Sequence, residues 1–532
     1  MRRHNIPVRL LLVLAVALLA LSPARAQKSR LISYTLGTVN SDLPPSNGIS
    51  HMAAGSRGLW IGTGKGLSRS TDGLATWESF RSDPAFTRDG IFAIAVYGDT
   101  IWTSIGYEKE ASGSQVQTGA GYAFSTDDGT VWHSLPQTLD NRGDSIISYG
   151  INDSVWMLPV IVPEQNVTFD AGLTGGTVWI ASWASGLRRS TDFGASWQRI
   201  LLPKDDRDRI SPDDTLWNYA PRDTLKLKRI YERFDPRQNN NLLAFSVLPI
   251  DGDTIWCGTA GGVNKSTDGG RSWLRFNRQN QAAPILSNWV IAIREQRYGS
   301  VRRIWTTNWK AEAPEEEFGV SYTDNGGLTW TNLLHGVRAY DFAFRDSIAY
   351  IVTQDGIYRT DDGGTNFVRA SSFADLENRQ TIVGSSVFAA AALGDTIAIG
   401  TNDGLAWTTD RPGSPFGSSW SIRRAYQAVG STSQTYAYPN PFSPGFESVR
   451  IHYGASPDPG AGTRFVSIEI FDFSMNRTRT LCLNAERPSA TEGDEIWDGT
   501  DDGGSVVPNG VYFYRLNPGF GEPVFGKILV LQ

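Results

Sequence analysis

Ser266-Thr267-Asp268-Gly269-Gly270-Arg271-Ser272-Trp273 is one copy of a pattern, Ser/Thr-x-Asp-x-Gly-x-x-Trp, that returns along the chain. Clean copies run from Ser125 to Trp132 and from Ser190 to Trp197, and Thr360 to Phe367 ends in Phe instead. Three copies are altered. Ser70 to Trp77 has its glycine at Gly73, Thr323 to Trp330 carries Asn325 for Asp, and Thr408-Thr409-Asp410 reaches Trp420 after an insertion around Arg411 to Phe416. An Asp followed by Gly marks a tight turn, in which the carboxylate accepts backbone N–H bonds and Gly supplies positive φ. The Trp then begins the next strand and carries apolar surface into a core.

The spacing of these boxes sets the architecture. Their acidic positions (72, 127, 192, 268, 325, 362 and 410) lie 37 to 76 residues apart, room for four short strands per unit. Upstream of each box sits an apolar-Trp-apolar strand or a near variant: Leu59-Trp60-Ile61, Ile101-Trp102, Val178-Trp179-Ile180, Ile255-Trp256-Cys257, Ile304-Trp305, Tyr350-Ile351 and Ile397-Ala398-Ile399. An alternating strand such as Phe92 to Val96 precedes that. Strand, turn, strand, loop, strand, box, strand is one blade of a β-propeller.

On these residues the repeat resembles the Asp-box (bacterial neuraminidase) repeat of sialidases, sortilin-type receptors, some glucan hydrolases and photosystem-assembly propellers. The resemblance covers about 27–430 and implies a seven-bladed β-propeller, with the boxes between third and fourth strands, away from the ligand face.

The chain has 532 residues, 55 glycines and 18 tryptophans, which suits an all-β repeat protein with many turns. Residues 1–26 read as a secretory signal: Arg2, Arg3 and Arg9, then the apolar run Leu10 to Leu21, then Ala24-Arg25-Ala26. Its removal takes four arginines and no acids, moving the formal charge from −6 to −10. Such an acidic secreted chain is a poor nucleic-acid binder. The two cysteines, Cys257 and Cys482, lie in different domains and exclude a disulfide scaffold. The histidines do not cluster, and no zinc spacing, nucleophile elbow, P-loop or dinucleotide fingerprint is present, so no cofactor, metal or catalytic residue is assigned.

Loop length supplies the functional expectation. Ser104 to Gly119, Pro136 to Gln165, Pro203 to Asn240 and Asn308 to Phe318 are long, and in a blade such connections fall on the face opposite the boxes. They predict a built-up rim over blades two to five, with Trp217, Tyr219, Trp309, Tyr107 and Trp156 as candidate ligand-binding residues. Such aromatics either present a ligand surface or anchor their own loops. The acidic run Glu315 to Glu317 reads as a solvated face. The mature N-terminal segment Leu31 to Gly37 and the stretch Trp420 to Tyr426 both qualify as the strand that closes the ring.

A linker at 431–445 leads to a last domain, 446–532, whose motif starts at Tyr438 and whose short alternating strands suit a small Ig-like β-sandwich. Tyr438-Pro439-Asn440-Pro441-Phe442-Ser443-Pro444, Ile470-Phe471-Asp472, Trp497-Asp498-Gly499-Thr500-Asp501, Gly510 to Arg515 and Lys527 to Val530 together resemble the C-terminal sorting domain of type IX secretion, itself similar to the flagellar hook-capping Ig-like domain. The sequence departs from that pattern at Phe473 to Asn476. The resemblance implies the type IX machinery as partner and an extracellular or outer-surface location on a Gram-negative bacterium. Asp498 to Gly503 resembles the front half of a calcium loop, but Asn509 stands where its final Glu belongs. The leading expectation is a binding protein for a glycan or protein ligand. The alternative is an extracellular glycoside hydrolase of sialidase or glucanase type, using a rim acid such as Asp205, Asp235 or Glu315. Against a sialidase, the chain's one Ile-Pro is Ile6-Pro7, inside the signal.

Overall fold

The computed structural model describes residues 43–531, apart from 81–82, 87–89, 112–113, 223–225, 312–313, 378–379, 425–434, 439, 445–447, 457–461 and 490–491. The signal and Leu31 to Gly37 lie outside the described residues.

Among the described residues, seven antiparallel sheets follow one another, each containing four strands paired in chain order. They span 49–79, 90–135, 168–199, 244–276, 289–333, 339–370 and 389–423, and are called sheets 1 to 7 below. First strands neighbour first strands around a central channel. The ring closes where Ile49, Leu59, Ile61 and Trp77 of sheet 1 share a core with Ala391, Ala398 and Leu405 of sheet 7. The outer strand of sheet 7 is Ser421–Arg423, from the second of the two closing stretches. The fold is an all-β propeller.

Each box lies between the third and fourth strands of its sheet. In Ser266 to Trp273, Ser266 Oγ accepts the Gly270 N–H at 2.8 Å, and Asp268 accepts the N–H groups of Arg271 and Ser272 at 3.0 and 2.9 Å. Asn325 reproduces the bond, accepting the Thr329 N–H at 3.0 Å. In the altered first box the residue at the glycine position is Leu74, which takes φ 75 and donates its N–H to Ser70.

The aromatic that ends each box packs on the preceding sheet. Trp132 of sheet 2 stands edge-on to Trp60 of sheet 1 at 6.0 Å, Trp197 of sheet 3 to Trp102 of sheet 2 at 6.1 Å, and Trp330 of sheet 5 to Trp256 of sheet 4 at 6.4 Å. Trp273 shares a core with Trp179, and Trp420 with Tyr350. Gly270 (φ +85) explains the box glycine: a Cβ there would lie 2.6 Å from the Trp179 ring. The box is thus more than a hairpin turn; it joins neighbouring sheets. A basic residue just before the box often completes the joint. Arg69, Arg189 and Lys265 cover Trp60, Trp179 and Trp256 and donate to carbonyls of the next box, at Asp128, Gly269 and Gly326.

Two connections form an insert on the outer edge of sheets 3 and 4. Asn152–Met157 pairs with Ile146–Tyr149 on one side and Arg233–Phe234 on the other, Arg209–Ile210 adds a fifth strand to sheet 4, and Trp217–Arg222 pairs with Lys226–Tyr231 as a hairpin. Loop length predicts these connections on the face opposite the boxes. Instead they leave from outer strands and bury Val155, Ile200, Leu202, Ile210, Leu216 and Phe234 against Leu187 and Trp273. Tyr149 even donates to the carbonyl of Arg271, in a box turn, at 2.7 Å.

The C-terminal residues form a two-sheet β-sandwich. Thr435–Tyr438, Val449–Tyr453 and Gly493–Trp497 face a four-stranded sheet of Arg477–Pro488, Thr463–Phe471, Gly510–Asn517 and Val524–Val530. Trp497, Phe442, Ile468 and Tyr514 lie in its core. Thr435–Tyr438, expected in the linker, is therefore a paired strand, because its backbone finds the free edge of Val449–Tyr453. Asp403 of sheet 7 takes Arg424 and Arg450, one from each side of the junction. The Asp498 to Gly503 turn satisfies its acids locally: Asp498 accepts the Thr500 N–H and Asp501 the Gly503 N–H, both at 2.9 Å.

Replacing Trp273, which is 1% exposed, by Ala will cost about 3–5 kcal/mol in denaturant unfolding; a loss below about 1 kcal/mol would contradict its role as an inter-sheet joint. The box acids add a pH signature. The Thr76 and Ser196 hydroxyls and the Asn366 N–H hold Asp72, Asp192 and Asp362 at about 2. Because these folded values are depressed, their contribution is complete above the ordinary carboxylate range and is lost as pH falls through about 2. Asp192→Asn will keep the fold at neutral pH, as Asn325 does, and will lose less stability than the parent between about pH 4 and 2; an unchanged acid profile contradicts this.

Candidate functional site

The channel mouth opposite the boxes is built by a recurring irregularity. The first strands of sheets 1 to 6 carry a register shift near their starts, at Ile49/His51, Ile91/Ala93, Thr168/Asp170, Ala244/Ser246, Val290/Ala292 and Ala339/Asp341. A β-bulge adds a residue and bends the strand. The extra residues are Ser50, Phe92, Phe169, Phe245, Ile291 and Tyr340. Four of the six are aromatic.

Two aromatic groups result. Phe245 lies 6.1 Å from Phe169, 5.2 Å from Trp183 and 5.6 Å from Trp289, with Trp183 edge-on to Trp289 at 5.9 Å. Tyr340 lies 5.1 Å from Phe388 and 5.8 Å from Trp309. Beside the first group is a cleft of about 440 Å³, lined by Phe169, Trp183, Phe245, Gln117, Gln165 and Glu108 among others. Its wall is the hairpin Thr100–Ala111 and Ser114–Ser125, which extends beyond the rest of sheet 2. Lys109 pairs with Glu164 at 2.7 Å, and Gln165 donates its N–H to Gln117 at 2.8 Å, tying the hairpin to the following connection.

Asp170 and Asp341 directly follow the bulged Phe169 and Tyr340, and both meet one arginine across the channel. Arg294 of sheet 5 bonds Asp170 of sheet 3 and Asp341 of sheet 6, each at 3.0 Å. Asp170 also accepts the Val247 N–H of sheet 4 at 3.1 Å. One guanidinium therefore links inner strands on several sides of the ring. Burial raises the Asp170 carboxyl despite Arg294. Burial, aided by the Arg294 charge, lowers His51 to about 4 and keeps its imidazole neutral at physiological pH.

The five sequence-predicted residues fall in separate places. Trp309 belongs to the mouth, where it donates to the Ala339 carbonyl at 2.7 Å under the Arg338 guanidinium. Tyr107 is on the wall hairpin, next to Glu108 and so on the opposite side of the strand. Trp217, Tyr219 and Trp156 are on the outer insert. Among the acids considered for hydrolysis, Asp205 accepts the N–H groups of Asn240 and Asn241, and Asp235 pairs with Arg237 at 2.7 Å. Sequence reasoning missed Phe169, Trp183, Phe245 and Trp289. Aligning the inner strands as a column would have shown Phe92, Phe169, Phe245 and Tyr340.

No family model matches the chain, and no curated protein matches it. Among solved structures, YCF48 from Cyanidioschyzon merolae is 16% identical over 69% of this chain and 96% of its own, with TM-score 0.41. An ancestral GH74 enzyme is 16% identical over 92% of this chain and 63% of its own, with TM-score 0.46. The Pan2 WD40 domain of Neurospora crassa is 12% identical over 69% of this chain and 90% of its own, with TM-score 0.36. At these levels none of them assigns a ligand or an activity, and the propeller assignment stands on the strand order.

Proposed function

We propose that this is a secreted or surface-displayed propeller that works by binding a glycan or protein ligand at the aromatic channel mouth. The observation that carries this reading is the cleft in which Phe169, Trp183 and Phe245 sit beside the amides of Gln117 and Gln165. Aromatic faces supply contact area at low entropic cost, and a few amides orient what rests on them. Export is assigned to the signal at 1–26 and to the C-terminal sandwich acting as a type IX sorting domain of Ig-like type. That assignment rests on the sequence motifs, with Trp497 and Tyr512 packed together at 5.4 Å in the sandwich core. Among the described residues no helix is long and apolar enough to cross a membrane.

The rival reading, a glycoside hydrolase, needs two carboxylates placed across a sugar. Here Glu108 lines the cleft, while Glu164 is paired with Lys109 and both Asp170 and Asp341 are committed to Arg294. That distribution favours binding.

In a glycan and protein-ligand screen, the purified protein will retain a ligand whose affinity falls about tenfold or more in a Trp183→Ala, Trp289→Ala variant of unchanged melting temperature. Sustained hydrolysis of a captured glycan, abolished by Glu108→Gln, would overturn the binding reading. In a host with the type IX apparatus, removing 435–532 will leave a folded propeller in the periplasm. Equal surface levels with and without those residues would refute the sorting assignment.

A further inference from the structure

The outer insert carries a second surface, remote from any role given to the mouth. The hairpin registers Trp217 with Tyr231 and Tyr219 with Arg229, so these four side chains share one face. Arg229 lies over Trp217 at 4.4 Å, and Trp217 meets Tyr219 edge-on at 4.9 Å. Two residues beyond Tyr231, Arg233 lies over Trp156 at 4.0 Å, on the adjoining strand. Arg229, Tyr231 and Arg233 thus alternate along one line of backbone, each guanidinium resting on an indole. Tyr219 remains 54% exposed, and both arginines are exposed.

Among the described residues neither Arg229 nor Arg233 forms an ion pair. Glu232, between them in sequence, is taken up by Lys204 and Arg207. Asp153 meets the line by accepting the Tyr231 hydroxyl, and Asp235, paired with Arg237, lies within the field of Arg233. The protein that carries Arg229 and Arg233 has a formal charge of −6. Two exposed guanidinium groups outside any ion pair, displayed on an acidic protein, complement an anion. Arg229 and Arg233 belong to consecutive short strands and rest on different indoles, a spacing that suits a chain charged at intervals rather than one small anion. The exposed Tyr219 ring across from Arg229 suits a sugar ring, whose C–H face stacks on aromatics, and the planar guanidinium is shaped for a carboxylate or phosphate.

We propose that this aromatic–arginine strip binds an acidic polysaccharide, independently of the mouth. The test is calorimetric titration of the mature full-length protein with tetragalacturonate, with a phosphorylated oligosaccharide of similar length, and with neutral cellotetraose. At least one acidic probe should bind, the identity of the better one distinguishing carboxylate from phosphate. Its affinity should fall about tenfold or more in Arg229→Gln, Arg233→Gln and should weaken as salt is raised. Tyr219→Ala should weaken it without altering the melting temperature, which keeps the test valid if the double variant folds poorly. Trp183→Ala, at the mouth, should leave it unchanged. Binding of neither acidic probe, equal binding of cellotetraose, or loss through Trp183→Ala would overturn the proposal. So would binding of polyglutamate alone, which would indicate an acidic protein partner.

Discussion

The structure depends on a contact that crosses from each sheet to the one before it. The box aromatic leaves its own turn and lands on the second-strand aromatic of the preceding sheet, as with Trp132 on Trp60 and Trp330 on Trp256. Everything else in the box serves that placement. Ser266 and Asp268 fix the turn, Gly270 clears space for the Trp179 ring, and Arg189 covers the same ring while holding the next turn by its carbonyl. Repetition around the ring makes the last contact the closure: Trp77 has only sheet 7 to land on, and finds Ala398 and Leu405 there.

Fixing the outer parts of the sheets in this way leaves their inner strands free to be irregular. Bulges at the strand starts turn Phe169, Phe245 and Tyr340 toward the mouth, and the next residues, Asp170 and Asp341, meet Arg294 across the channel. Removing Arg294 would leave the buried Asp170 carboxylate beside the half-buried Asp341 with no cation between them, a costly arrangement. The aromatic floor is therefore underpinned by a polar plug, and a ligand resting on it meets a surface already ordered.

Much of the fold was legible because the box is a local device whose residues are close in sequence. The Asp, Gly and Trp of Ser266 to Trp273 report their turn directly. What the Trp touches was not legible, since its partner Trp179 lies in another sheet and nothing in either segment names the other. The same holds for the site. Trp217 and Trp309 looked alike, as aromatics inside long loops, yet apolar residues such as Leu202, Ile210 and Phe234 pull the first loop to the outer edge while Trp309 stays at the mouth. Loop length reported that chain was available and did not report which surface would bury it. Phe245 lies within a first strand and Trp183 directly follows a second strand, positions where an aromatic reads as core.

The central claim, that box aromatics bind sheet to sheet, is tested most directly by a double-mutant cycle on Trp197 and Trp102, which stand edge-on 6.1 Å apart in sheets 3 and 2. Each is replaced by Leu singly and together, and unfolding free energies are measured. The account predicts a coupling energy of about 0.5–1.5 kcal/mol between them. Losses that add to within about 0.3 kcal/mol would mean that the two rings stabilise their own sheets separately, and would contradict it.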